Sequence, residues 1–244
     1  MHPAHVLSQG RTRFAAGAAA NFAAGGASDA INKADADRIT ANTGNPTPTY
    51  TAGALAVAAF APGVAPFVAG RVGLGYNAEG GFSYTGHAMR LDARYAIEGE
   101  SIALSVGVGG SALLSRRGTL TNQQLGGLAL EGVSGWGADL PVVFGWRSED
   151  DIVWWWIGAR GGYESLRGTI TLVVPANPYP LNGDVDAHRV MVAGLTGLAV
   201  GFRHFHAGVE VQGGYHDAQG ALWGIDAEVK GFTLSPSAAL LGTF

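Results

Sequence analysis

Only 14% of the 244 residues are charged, against roughly a quarter in ordinary soluble domains, so the chain must turn a low-charge surface toward something other than water. A net charge of −4 with no basic stripe excludes a nucleic-acid partner. The absence of cysteine fits an oxidising compartment, where a stray thiol is a liability.

The amino terminus, Met1 to His5, has no apolar signal core. Export is expected from a precursor longer than this chain, with residues 1–8 left as a periplasmic tail. The first alternating segment sets Phe14, Ala16, Ala18, Ala20 and Phe22 on one face and Arg11, Arg13 and Asn21 on the other. A polar stretch from Ala24 to Thr49 follows, with a short helix expected near Ala34 to Ile39. Ala52 to Gly70 carries no charge, and Pro62-Gly63 inside it breaks any membrane-spanning helix. Two strands around a tight turn are expected there, the first over Tyr50 to Phe60 and the second over Val68 to Tyr76.

Further along, Met89, Leu91, Tyr95 and Ile97 oppose Arg90, Asp92 and Arg94, and Ile102 to Leu114 alternates with Ser and Gly. Leu140, Val142, Phe144 and Trp146 oppose Asp139 and Arg147. Val153, Trp155, Ile157 and Tyr163 oppose Arg160 and Glu164, leaving Trp154 and Trp156 on the polar face. Val190 to Phe202 opposes Arg189 and Arg203, and Phe205 to Tyr215 opposes His206, Glu210 and His216. The last strand, Phe232 to Phe244, is out of phase with Ile225, Ala227 and Val229. A bulge or a late strand start is expected near Gly231. The Gly73 and Gly107–Gly110 runs precede no helix bearing Lys-Ser or Lys-Thr, so they read as strand glycines, and no cofactor is expected.

These segments number ten. Short links (Ala61 to Val64, Glu98 to Ser101, Ser148 to Asp151, a turn near His204) alternate with longer ones (Ala24 to Thr49, Arg116 to Gly132, Leu166 to Ala187, Asp217 to Lys230). Asn77 to Gly81 is the one brief link in the long set. In hydrocarbon every backbone N–H and C=O must be paired inside the protein, so a sheet can cross only by closing on itself. The expected fold is therefore all-β: a closed antiparallel transmembrane barrel of about ten strands, with short periplasmic turns and longer outer loops. A soluble barrel or sandwich shows the same alternation with the apolar face inward. The Gly, Ala and Ser on the polar face and the scarcity of Lys favour the membrane version.

The alternation, the asymmetry of the links and the terminal Phe244 resemble the small bacterial outer-membrane barrels, from eight-stranded outer-membrane-protein-A-like domains to ten-stranded omptins and adhesins. The resemblance implies an outer-membrane location, surrounding lipid and lipopolysaccharide, and recognition of Phe244 by the barrel-assembly machinery. Tyr76, Tyr95, Trp146, Trp155, Tyr163, Phe205 and Tyr215 are the expected interfacial girdle. Arg71, Arg90, Asp92, Arg94, Asp139, Arg160, Glu164, Arg203 and Glu210 are assigned to the lumen, as an ion-paired plug or as an anion-preferring pore.

Omptins carry an Asp-x-His pair, matched here by Asp186 and His188. Their second acidic pair has only Glu79 as a counterpart, so a protease is the remote reading and no catalytic residue is expected. Asn182 to Asp186 offers alternate oxygens without the later bidentate Glu of a calcium loop, and His204 with His206 lacks a third zinc ligand, so no metal is expected. Two functional classes stay open: a non-catalytic envelope, adhesion or assembly component meeting a protein partner through its outer loops, or a narrow Arg-lined diffusion pore.

Overall fold

The computed structural model describes residues 3–37, 46–114, 125, 127–173 and 180–244. Ten antiparallel strands close into a ring: β1 (Thr12–Ala24), β2 (Gly63–Gly75), β3 (Ala78–Tyr84), β4 (Ala88–Glu98), β5 (Ile102–Leu113), β6 (Leu128–Arg147), β7 (Val153–Leu172), β8 (Leu181–Phe202), β9 (Phe205–Leu222) and β10 (Ile225–Thr243). Each strand pairs with its sequence neighbour, and β1 pairs with β10 from Arg13↔Thr243 to Ala24↔Phe232. The closure leaves no unpaired edge, as hydrocarbon demands. Phe244 completes the seam by exchanging backbone hydrogen bonds with Thr12, both 2.9 Å.

The exterior carries the expected apolar face. Phe14, Leu91, Ile97, Val108, Leu140, Val192, Val209 and Leu240 are all exposed. Phe205 and Tyr215 bound this band on β9 at ten residues' separation, the length a tilted strand needs to cross the apolar layer. One aromatic belt gathers Trp136 against Tyr163 (5.6 Å between centroids) and Tyr215 against Phe232 (5.2 Å). The other includes Trp155 against Phe144 (6.4 Å) and Phe205 against Phe244 (5.8 Å), with Tyr76, Tyr95 and Trp146 also exposed toward that end. The chain is a transmembrane barrel. Among the described residues no helix is long and apolar enough to cross a membrane.

Several expectations are corrected. Tyr50 to Phe60 is not a strand but lies in helix α2 (Pro48–Phe60), buried on every side. Thr47 caps it by accepting from the Tyr50 N–H, Pro48 occupies its first turn, and Ala61 ends it in the left-handed region at φ 42°. The Ala-rich run has no polar face, so periodicity could not separate helix from strand. The missing strand is β3, within what reads as a brief outer link at Asn77 to Gly81. Tyr76 and Asn77 form a tight turn there, both at positive φ, on the same end as the termini. The Ala61 to Val64 turn accordingly lies at the opposite, far end. Two errors cancel, and the count of ten survives. The polar stretch does hold a helix, α1 (Gly26–Asp37), earlier than expected.

The far end holds the largest departure. Leu166 to Ala187 and Asp217 to Lys230 are mostly strand, not loop: β7–β8 and β9–β10 run on well past the apolar band. On β8 the outward residues change from Val192 and Val190 to His188, Asp186 and Asp184, while Ala187 and Val185 point inward and are buried. On β10 they change from Leu234 and Phe232 to Lys230, Glu228 and Asp226, with Val229 buried. The β9–β10 register runs unbroken through Gly231↔His216, so no bulge exists there. The sequence phase flips because the surroundings do: outside turns from lipid to water, and inside from charged side chains to helices. Residues 174–179 and 115–124, which belong to the expected outer loops, lie outside the described residues.

Inside that far half, α2 packs on β8, β9 and β10, and α1 packs on α2. Their contact is close, since a Cβ on Gly53 would sit 2.1 Å from the Ala34 Cβ. Leu128, Leu130, Leu166, Ile170, Leu172 and Leu222 complete an apolar core. At the other mouth the amino-terminal segment is no tail in water. Residues 3–7 are buried, fixed by the Val6 N–H donating to Glu98 (2.7 Å) and the Leu7 N–H donating to Glu79 (3.0 Å).

Candidate functional site

The candidate site is the lumen, and its contents follow from the alternation. Every second residue of β2–β7 points inward, and an arginine there reaches a carboxylate two residues along its own strand or one or two strands away. Arg71 bridges Glu79 and Asp92. Arg90 bridges Asp92 (2.6 Å) and Asp139 (2.8 Å), and Arg160 also donates to Asp139 (3.0 Å). Arg94 donates to Glu79 (2.7 Å) and to the carbonyls of Pro3 and His5. Four guanidiniums and three carboxylates thus form one continuous network. The void remaining beside Arg71, Arg90, Asp92 and Arg94 is about 10 Å³, room for a single water.

Opposite this network the filling is aromatic. Trp156 is fully buried and donates from Nε1 to Glu210 (2.8 Å). Trp154 donates to Asp151 (2.6 Å) and stacks on His206 at 3.8 Å, with the Arg13 guanidinium 5.0 Å from its ring. Deeper toward α2, Arg189 pairs with Glu164 and donates to the Ala59 carbonyl, while Asn21 donates to the Phe60 carbonyl. His216 meets the Phe60 ring edge-on at 5.3 Å and bonds Thr233 (2.7 Å).

Of the nine lumen candidates, Arg71, Arg90, Asp92, Arg94, Asp139 and Arg160 meet in the network, whereas Glu164 and Glu210 lie elsewhere in the lumen with their own partners. Arg203 does not point inward. It sits exposed in the β8–β9 turn at φ 55°, over the Phe202 ring, because the turn reverses the chain one residue before the luminal parity would resume. His204 is likewise at the turn, held to Thr243 O (2.9 Å), so it does not share a face with His206. Asp186 and His188 project outward, Asp186 toward Arg167 (3.5 Å) and His188 over Tyr163. Glu79 is fully buried in the lumen near the termini, so no catalytic grouping joins the three.

Sequence reading missed the central place of Glu79, which two arginines and a backbone N–H share. The inward alternation of Glu79, Gly81 and Ser83 against Phe82 was its signal. It also missed His5. Burial, then the nearby Arg147 and Arg13 charges, lower the His5 pKa to about 4.

The fold and its contents define a transmembrane β-barrel with an occupied lumen. No protein-family model and no curated protein matches the chain. Among solved structures, Neisserial surface protein A is 12% identical, covers 97% of this chain and all of its own, and superposes with a TM-score of 0.33. The translocator domain of the autotransporter NalP from Neisseria meningitidis is 10% identical over 98% of this chain and 90% of its own (TM-score 0.30). The monoaromatic hydrocarbon channel CymD is 9% identical over 98% of this chain and 89% of its own (TM-score 0.29). The barrel assignment rests on the closed ladder and the apolar band.

Proposed function

We propose that this chain is a bacterial outer-membrane barrel with a closed lumen, a non-catalytic envelope component that works through its far-end hairpins and helix α1. The observation carrying this reading is that the lumen is filled at three successive levels. Residues 3–7 occupy the mouth beside the termini, the arginine–carboxylate network occupies the middle, and α2 occupies the far half. An Arg-lined diffusion pore needs a water path past all three, and a buried guanidinium locked between two carboxylates offers a passing anion no free donor. On this reading the termini face the periplasm, lipid and lipopolysaccharide surround the apolar band, Phe244 serves the assembly machinery, and an envelope partner meets the outer hairpins.

The test is conductance of the refolded barrel in planar bilayers, with insertion verified independently. Silence of the wild type is expected. Steady conductance whose ion preference shifts in Arg90→Ala would overturn the closed-lumen reading in favour of the pore.

A further inference from the structure

Four buried polar atoms have no hydrogen-bond partner among the described residues yet belong to residues lining one cavity: Arg13 Nε and Nη1, His5 Nε2 and Thr243 Oγ1. The cavity lies at the mouth beside the termini, between residues 3–8 and the barrel wall, and measures about 250 Å³. Buried donors normally find partners, because one left without forfeits the hydrogen bonds it made with water. Four on the residues that line one hollow therefore point to an occupant.

The charge around the hollow gives the occupant's sign. Arg11, Arg13 and Arg147 line it against one carboxylate, Asp151, and that carboxylate already accepts from Trp154 Nε1 at 2.6 Å. Arg13 is only 7% exposed, and its guanidinium rests 5.0 Å from the Trp154 ring, which in turn stacks on His206. The guanidinium lies over the indole ring, and its Nε and Nη1 have no acceptor among the described residues; such charge-assisted N–H donors are the groups that bind oxyanions. The acids just beyond the lining are engaged as well: Glu79 by Arg71, Arg94 and the Leu7 N–H, Glu98 by the Val6 N–H, and Glu210 by Trp156 Nε1.

We propose that this vestibule binds a compact oxyanion of the phosphate or carboxylate class. The Arg13 guanidinium holds it, Thr243 and His5 complete the donor set, and Arg11 and Arg147 supply the surrounding positive charge. The bound anion bridges the amino-terminal segment to the β1 wall. The site opens at one mouth, so its occupancy does not depend on whether the lumen conducts.

The experiment is titration of the refolded full chain in micelles with inorganic phosphate, and separately with acetate, by calorimetry in excess chloride. Saturable uptake of one equivalent is expected. Arg13→Gln weakens it about tenfold or more, the loss of one charge-assisted contact. Arg203→Gln, exposed at the same end but away from the cavity, leaves it unchanged. Tighter binding of acetate than of phosphate would assign the site to carboxylates, and the reverse to phosphate. Should Arg13→Gln not fold, Thr243→Val takes its place, with a smaller weakening expected. No saturable uptake of either anion by the folded wild type, or an unchanged affinity in the folded variant, overturns the proposal.

Discussion

Arg189 of β8 closes the inner end of α2 by donating to the carbonyl of Ala59, while its other terminal nitrogen holds Glu164. The last carbonyls of a helix have no partner within it, and they carry the negative end of its dipole. A guanidinium fixed there by a carboxylate from the neighbouring strand supplies both hydrogen bonds and charge. Arg189→Ala removes the cap and leaves Glu164 part-buried without its cation. A loss of about 3 kcal/mol is expected, read as an earlier urea midpoint in lipid vesicles. Hydrogen exchange adds a local readout: α2 amides lose protection while β3–β5 keep theirs.

Asp139 accepts from Arg90 through both oxygens, at 2.8 and 2.9 Å, and from Arg160 at 3.0 Å. Asp139→Asn leaves the buried Arg90 and the part-buried Arg160 short of a counter-charge, so a cost of about 3–5 kcal/mol is expected. The exposed pair Arg167–Asp186, at 3.5 Å in water, provides the contrast. Arg167→Ala should change stability by no more than about 1 kcal/mol. Equal effects of the two substitutions would show that the network does not hold the barrel wall.

Gly53 is where α1 and α2 touch, with the Ala34 Cβ and the Ala30 carbonyl inside contact distance of any added Cβ. Gly53→Val must push the helices apart, at about 1–3 kcal/mol. Proteolysis within α1 should accelerate in this variant, while the strand signature in circular dichroism stays unchanged. Undiminished resistance of α1 would show that the helix pair tolerates separation.

Docking of the amino-terminal segment should depend on pH through His5. Docked, its pKa is about 4; free in solution the ordinary value is 6.5. The free segment therefore binds more protons between these values, and docking is fully favourable above about 6.5 and weakens as pH falls toward 4. The docking equilibrium loses up to about tenfold per pH unit in that window. Protease cleavage after residue 8 as a function of pH measures this, and His5→Gln should flatten the profile.

The barrel's lipid-facing alternation was legible because one environment lies on each side of the wall within the membrane: Leu91 against Arg90, Val209 against Glu210. Reading failed where that condition failed. Above the membrane Val229 faces helices and Lys230 faces water, which reverses the parity that Phe232 and Thr233 follow below. Ala54 to Ala59 carries no polar residue on any side, so it has no period to read. Of the lumen, the charged members were legible from parity alone. Who pairs with whom was not, since Arg90 reaches Asp139 through a register that only the closed sheet defines.

The uneven height of the wall has a consequence for approach. Strands β1–β5 end near the edge of the apolar band, with Phe22, Val64 and Met89 still exposed outward close to their far ends. β8 climbs eight residues past Val190's neighbour Arg189, from His188 to Leu181, roughly 25 Å along the strand. Among the described residues the far end is therefore a parapet on one side and a low sill on the other, with α1 lying between them. A molecule descending from the side of β6–β10 meets charged strand exteriors first. One travelling in the plane of the membrane from the side of β1–β5 meets, of the described residues, the flank of α1 without crossing the tall wall, so the described strands give the far end a front and a back.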